Sequence, residues 1–143
     1  MRIVLDTNVL VSGLLNPNGA PGRIVDLIIA GQVQVLYDDR ILGEYREVLS
    51  RPQLAIDPSS AQALIDYLRL SGEYVLALPL PETTLPDPND VMFAEVAVSG
   101  KADAVVTSNS RHFSGMKTGD VKICSPSEFI QWLVVPINLT GTV

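Results

Sequence analysis

Short apolar runs set between stretches of helical character constrain the fold of this chain more than any single residue does. Arg2–Leu5 is aliphatic and β-branched, and it stops at Asp6-Thr7-Asn8, residues that favour turns and caps. Gln32–Tyr37, with Val33, Val35 and Tyr37 on one side, predicts a second strand. Glu73–Leu78, Asp103–Val106 and Val121–Cys124 predict three more. Between them, Arg23–Ala30 reads as a helix closed by Gly31, and Asp38 as the N-cap of a helix running to about Leu49. Asp57-Pro58 opens a helix to about Leu70, and Pro88–Ser99 is a helix stopped at Gly100. Ser125-Pro126-Ser127-Glu128 has capping-box form and introduces a short last helix, Phe129–Leu133. Asn16–Gly22 and Pro79–Pro86 read as loops. Strands alternating with helices, in runs that are apolar throughout, imply a parallel sheet buried on both faces. The expected fold class is therefore α/β, a three-layer α/β/α sandwich around a central, mainly parallel five-stranded sheet.

At 143 residues the chain suits one domain, here residues 1–135, with 136–143 as a C-terminal tail. Ten basic against 16 acidic residues give a net charge of −6, which argues against holding nucleic acid by a broad basic surface. It leaves room for an acidic pocket filled by cations, because a bound ion inverts the local charge. The single cysteine, Cys124, excludes an internal disulfide framework and a cysteine zinc cage, and fits a small core residue. The apolar runs are too short to span a bilayer, and no signal-peptide layout is present. The expectation is a soluble cytoplasmic domain with no membrane partner.

Ligands of open α/β sheets bind beyond the carboxyl ends of the strands, and the acids of this chain fall there. Asp6 follows the first strand, Glu44 lies on the helix after the second, Asp87 and Asp90 open the helix after the third, and Thr107-Ser108-Asn109 follow the fourth. Converging carboxylates require raised pKa values or a bound cation, and oxygen ligands of this kind suit Mg²⁺ or Mn²⁺ better than zinc. Each residue also has a structural reading. Asp6 could cap a turn. Glu44 lies beside the apolar stripe Ile41, Tyr45, Val48 and Leu49, so the solvated-face reading fits Glu47 better. Asp87-Pro88 is explained by capping alone, which leaves Asp90 as the inward carboxylate. Thr107, Ser108 and Asn109 serve equally as strand-end turn formers. His112, the only histidine, lacks a partner for a nucleophilic triad and reads as a phosphate or loop contact.

Together these residues resemble the PIN-domain family, nucleases that include the ribonuclease toxins of bacterial toxin–antitoxin modules. The resemblance runs from Ile3-Val4-Leu5-Asp6-Thr7-Asn8 to about Leu133. The opening segment looks like the family's first motif, with its first acid at Asp6; Glu44 matches the second acid. Asp87-Pro88-Asn89-Asp90-Val91-Met92-Phe93 looks like the third motif, with Asp90 as its acid. Val106-Thr107-Ser108-Asn109 and Arg111-His112-Phe113 look like the fourth. Many members carry aspartate where this chain has Asn109; an amide oxygen still ligates a hard cation but removes one negative charge. The resemblance implies an endoribonuclease that uses one or two Mg²⁺ or Mn²⁺ ions held by Asp6, Glu44, Asp90 and Asn109. Asp87, Thr7, Asn8, Thr107 and Ser108 would support these ligands or cap their elements. Arg111, His112, Lys117 and Arg40 would meet the RNA backbone, although a solvated surface explains Arg40 and Lys117 as well. It also implies a homodimer and an antitoxin protein as partner.

Two other readings compete. A phosphotransfer or phosphatase domain shares the acidic pocket but wants a lysine near the phosphoryl group, and Lys101 and Lys122 are badly placed for that. A binding module that keeps the fold and has lost catalysis is compatible with Asn109. Three matching acids argue against it, since an inert site has no reason to carry their repulsion.

Overall fold

A computed structural model describes residues 1–80, 85–114 and 119–141, with residues 135–141 as backbone alone. The strands are β1 (Arg2–Leu5), β2 (Gln34–Tyr37), β3 (Glu73–Tyr74), β4 (Ala104–Val106) and β5 (Lys122–Cys124). The helices are α1 (Thr7–Leu15), α2 (Ala20–Ile29), α3 (Asp39–Leu49), α4 (Pro58–Ser71), α5 (Val91–Ser99) and α6 (Pro126–Gly141), with 3₁₀ turns at Pro52–Leu54, Pro88–Asp90 and Ser110–Phe113. All pairings are parallel and the strand order is β3-β2-β1-β4-β5. This is the expected α/β sheet with helices packed around it. The order reverses between β1 and β4, and the crevice there is where such sheets bind ligands.

The central strands are fully buried: Ile3, Val4 and Leu5 of β1 and Ala104, Val105 and Val106 of β4. Burial on both faces is why these strands read as continuous apolar runs rather than as alternation. α5 closes one side through Phe93, Ala94, Val96 and Ala97, all buried. Phe129 is likewise buried and meets Trp132 edge-to-face at 6.1 Å. Cys124 is a core residue as expected, and burial pushes its thiol up to about 11. At pH 8 the native thiol is expected to react with iodoacetamide at least about a hundredfold more slowly than in urea-unfolded protein. Equal rates by mass spectrometry would show an accessible thiol.

Beyond shifts of one to three residues at other element ends, four elements differ from the sequence reading. α1 was not expected, because Thr7–Leu15 contains valines and Gly13 and lacks a polar face; packing against α2 stabilises it instead. α2 begins at Ala20 inside the expected loop, with Pro21 in its first turn. β3 stops at Tyr74 rather than Leu78, since its partner β2 turns into α3 after Tyr37 and the last rung is Val75 N–H to Tyr37 O at 2.8 Å. α6 continues to Gly141 rather than ending at Leu133. Pro136 removes one hydrogen-bond donor, which interrupts the ladder once without ending the helix.

Candidate active site

Asp6 leaves β1 at the point where the sheet order reverses, its N–H donating to Val106 O of β4 at 3.0 Å. It occupies the N-cap position of α1, yet its side chain makes no capping bond. The carboxylate is therefore available, which removes the capping reading. Its Oδ2 accepts instead from the hydroxyl of Thr107, directly after β4, at 2.7 Å. Both residues are buried, and the Thr107 oxygen in turn accepts from Asn109 N–H at 3.0 Å. With its lone pair so engaged, the hydroxyl's single proton is directed at Asp6.

Glu44 is half-buried on α3, and its Oε2 accepts a hydrogen bond from the Thr7 hydroxyl at the start of α1. One residue on, Tyr45 is fully buried and donates its O–H to the carbonyl of Leu5, the last residue of β1. This bond fixes α3 against the end of β1. Burial raises the Tyr45 phenol well above its ordinary pKa, and the negative charges of Asp6 and Glu44 push the same way. One phenol thus senses both carboxylates.

Asp90 ends the 3₁₀ turn before α5 and is buried. Its Oδ2 lies 3.1 Å from Nδ1 of His112, which comes from the turn after β4. Desolvation raises the Asp90 carboxyl above its ordinary range, the charges of Asp6 and Asp87 raise it further, and His112 opposes them. Asp87 caps its turn, accepting from Asn89 N–H at 2.9 Å, as capping predicts. A raised carboxyl pKa means the fold holds that proton more tightly than the unfolded chain does. Stability is accordingly lost as pH rises through the window above the ordinary value of 3.8. Asp90→Asn is expected to raise Tm by a few degrees near pH 7.5, with the gain vanishing as pH falls through that window. A lowered Tm across the pH series would show that the His112 contact outweighs the repulsion.

The remaining expected residues divide. Asn109, Ser108 and Arg111 are exposed in and beside the Ser110–Phe113 turn, and Asn8 is exposed in the first turn of α1. Lys117 lies outside the described residues. Arg40 is taken up structurally: its Nε meets Asp38 Oδ2 at 2.8 Å and its Nη1 meets Glu95 Oε1 at 2.7 Å. Glu95 is buried, and its other oxygen accepts from Leu80 N–H at 3.0 Å. That network ties α3 to α5. The sequence reading missed it because the partners lie far apart along the chain; it missed Tyr45 by counting the ring as core, although a buried Tyr hydroxyl calls for a partner.

The donor set fits a hard divalent cation in its chemistry, since Asp6, Glu44 and Asp90 offer only oxygen and the Asp90 carboxyl is held in the field of two other acids. Among the described residues, no three acid, imidazole or thiol side chains close into a ready cage. Each acid is instead turned onto a protein partner: Asp6 onto Thr107, Glu44 onto Thr7, Asp90 onto His112.

Comparison with known proteins agrees with the fold. A family model described as PIN domain matches residues 2–111. The chain is 28% identical over 141 residues to the uncharacterized protein MJ1680 of Methanocaldococcus jannaschii, covering 92% of this chain and 90% of that protein. Its fold is similar to a chain in the crystal structure of VapBC2 from Rickettsia felis bound to a DNA fragment from their promoter, with a TM-score of 0.54 and 17% identity. That match covers 87% of this chain and 98% of the other.

Proposed function

The chain belongs to the PIN-domain family, and from that premise we propose that it is a Mg²⁺- or Mn²⁺-dependent endoribonuclease acting as the toxin of a toxin–antitoxin pair. The observation that supports this reading is the placing of Asp6, Glu44 and Asp90 beside the crevice where the sheet order reverses, with the charge of Asp6 bearing on Asp90 and, together with that of Glu44, on the buried Tyr45 phenol. Asp6, Glu44 and Asp90 would hold the ion, with the Asn109 amide as a neutral fourth donor. Held there, a divalent ion would neutralise phosphate charge and lower the pKa of an attacking water.

The chain's own side chains prepare that chemistry. The Thr107 hydroxyl fixes the orientation of Asp6, and Thr7 does the same for Glu44. His112 steadies Asp90 from the turn after β4 while keeping nearly half of its own side chain exposed. It therefore stands with exposed Arg111 where a phosphodiester backbone would pass. Arg40 is left out of that role by its two carboxylate partners. Single-stranded RNA is the favoured substrate, because unpaired loops and ends are the usual targets of specific RNA recognition.

The partners proposed are an antitoxin protein and a second copy of the chain, in the cytoplasm. The fold neighbour's occurrence with a second protein supports the first. Among the described residues no helix is long and apolar enough to cross a membrane. The test is cleavage of labelled single-stranded RNAs by the full chain while Mn²⁺ or Mg²⁺ is titrated and then removed with EDTA. Saturable, chelator-sensitive cleavage is expected. Intact RNA at every metal concentration would favour the binding module instead.

A further inference from the structure

Asp38, Arg40 and Glu95 form a charge network that stands apart from the three acids assigned to the ion. Every carboxylate oxygen in it already has a donor. Asp38 Oδ1 accepts from Ile41 N–H at 3.1 Å, and its Oδ2 from Arg40 Nε at 2.8 Å. Glu95 Oε1 accepts from Arg40 Nη1 at 2.7 Å, and its Oε2 from Leu80 N–H at 3.0 Å. The side chains of Asp38 and Glu95 are 10% exposed and that of Arg40 47%. Two carboxylates so far removed from water require a cation between them, and Arg40 supplies it.

The place of this link matters more than its strength. Among the described residues, Arg40 to Glu95 is the only side-chain hydrogen bond that joins α3 to α5. Glu44 lies four residues beyond Arg40 on the same face of α3, about 6 Å along the axis. Asp90 lies five residues before Glu95, at the entry to α5. The guanidinium therefore ties the two helices together within two turns of the acid that each one presents. The Tyr45 bond to Leu5 sets α3 against β1, but it does not set α3 against α5.

We propose that Arg40 is a positioning residue for the metal site: by holding Asp38 and Glu95 together it fixes the span between Glu44 and Asp90 that a shared ion needs. The inference rests on the metal-dependent reading above and adds to it a residue that touches neither ion nor RNA. A guanidinium suits the task, because its rigid planar fork meets two carboxylates at set angles and an ammonium does not. The sign of the effect separates positioning from plain charge. Removing a nearby positive charge, taken alone, makes a cation bind more tightly. Loosening the span makes it bind more weakly, since Mg²⁺ demands near-ideal placing of its oxygens.

Calorimetric titration of the full chain with Mn²⁺, read beside cleavage of a labelled single-stranded RNA, tests this. The wild type is expected to bind Mn²⁺ saturably, and Arg40→Met to raise the Mn²⁺ Kd about tenfold or more with an unchanged circular-dichroism spectrum. Cleavage lost in Arg40→Met is expected to return as Mn²⁺ is raised, at an unchanged KM for the RNA. Unchanged or tighter Mn²⁺ binding by folded Arg40→Met overturns the positioning role. A raised KM for RNA at saturating Mn²⁺, with the Mn²⁺ Kd unchanged, overturns it in favour of a backbone contact. A wild type that binds no Mn²⁺ overturns the metal-dependent reading and this role together. If Arg40→Met fails to fold, the double variant Arg40→Met/Glu95→Gln decides, because it removes the link and the unpaired charge of Glu95 while keeping an acceptor for Leu80 N–H. It is expected to show the same loss of Mn²⁺ affinity, and wild-type affinity there overturns the role.

Discussion

Asp6→Asn is expected to lower divalent-ion-dependent RNA cleavage by about a thousandfold or more while leaving the protein folded. The substitution keeps shape and one carbonyl oxygen, so the Thr107 hydroxyl retains an acceptor at the position it now bonds at 2.7 Å. What disappears is the negative charge that Asp90 senses and that helps to raise the Tyr45 phenol. The folded state loses repulsion, and the proposed ion would lose one of its ligands. Isothermal titration with Mn²⁺ should show the affinity loss beside an unchanged or higher Tm. Full cleavage by Asp6→Asn would move the site elsewhere on the molecule.

The largest stability effect is expected from a single methyl group. A Cβ at Gly22 would lie 2.2 Å from the carbonyl oxygen of Pro17, a backbone atom that cannot swing aside. Gly22→Ala therefore forces α2 away from the turn after α1, and is expected to cost at least about 3 kcal/mol, lowering Tm by roughly 10 °C. Gly43 is the counterpart. It lies inside α3, and a Cβ there meets nothing within 4 Å. Gly43→Ala is expected to add about 0.5–1 kcal/mol by restricting the unfolded chain. Thermal melts of the two variants should move in opposite directions. A neutral Gly22→Ala would show that the Asn16–Gly19 turn yields easily.

Helix caps were legible wherever a short polar side chain preceded a periodic run. Asp38 accepts from Ile41 N–H at 3.1 Å, Asp57 from Ser60 N–H at 3.0 Å, and Ser125 and Glu128 bond reciprocally, as their spacing requires. α1 was illegible for the opposite reason. Its residues are apolar on nearly all sides, so no periodicity marks it, and packing against α2 and α3 supports the helix. The acids could be listed from their places after strands. Their environments could not, because Thr7 with Glu44, Thr107 with Asp6 and His112 with Asp90 join residues 37, 101 and 22 positions apart.

By itself, then, the order of apolar runs and caps determined the class of fold and the edge on which the carboxylates lie. Strand burial and local capping are properties of neighbours in the chain, and neighbours are what a sequence records. The tertiary structure decided that the sheet order reverses between β1 and β4, which acid meets which hydroxyl or imidazole, and that Arg40 is spent on Asp38 and Glu95. It also decided that β3 ends where β2 turns away. Those outcomes depend on which distant segments share a wall, and that is fixed only when the whole core packs at once.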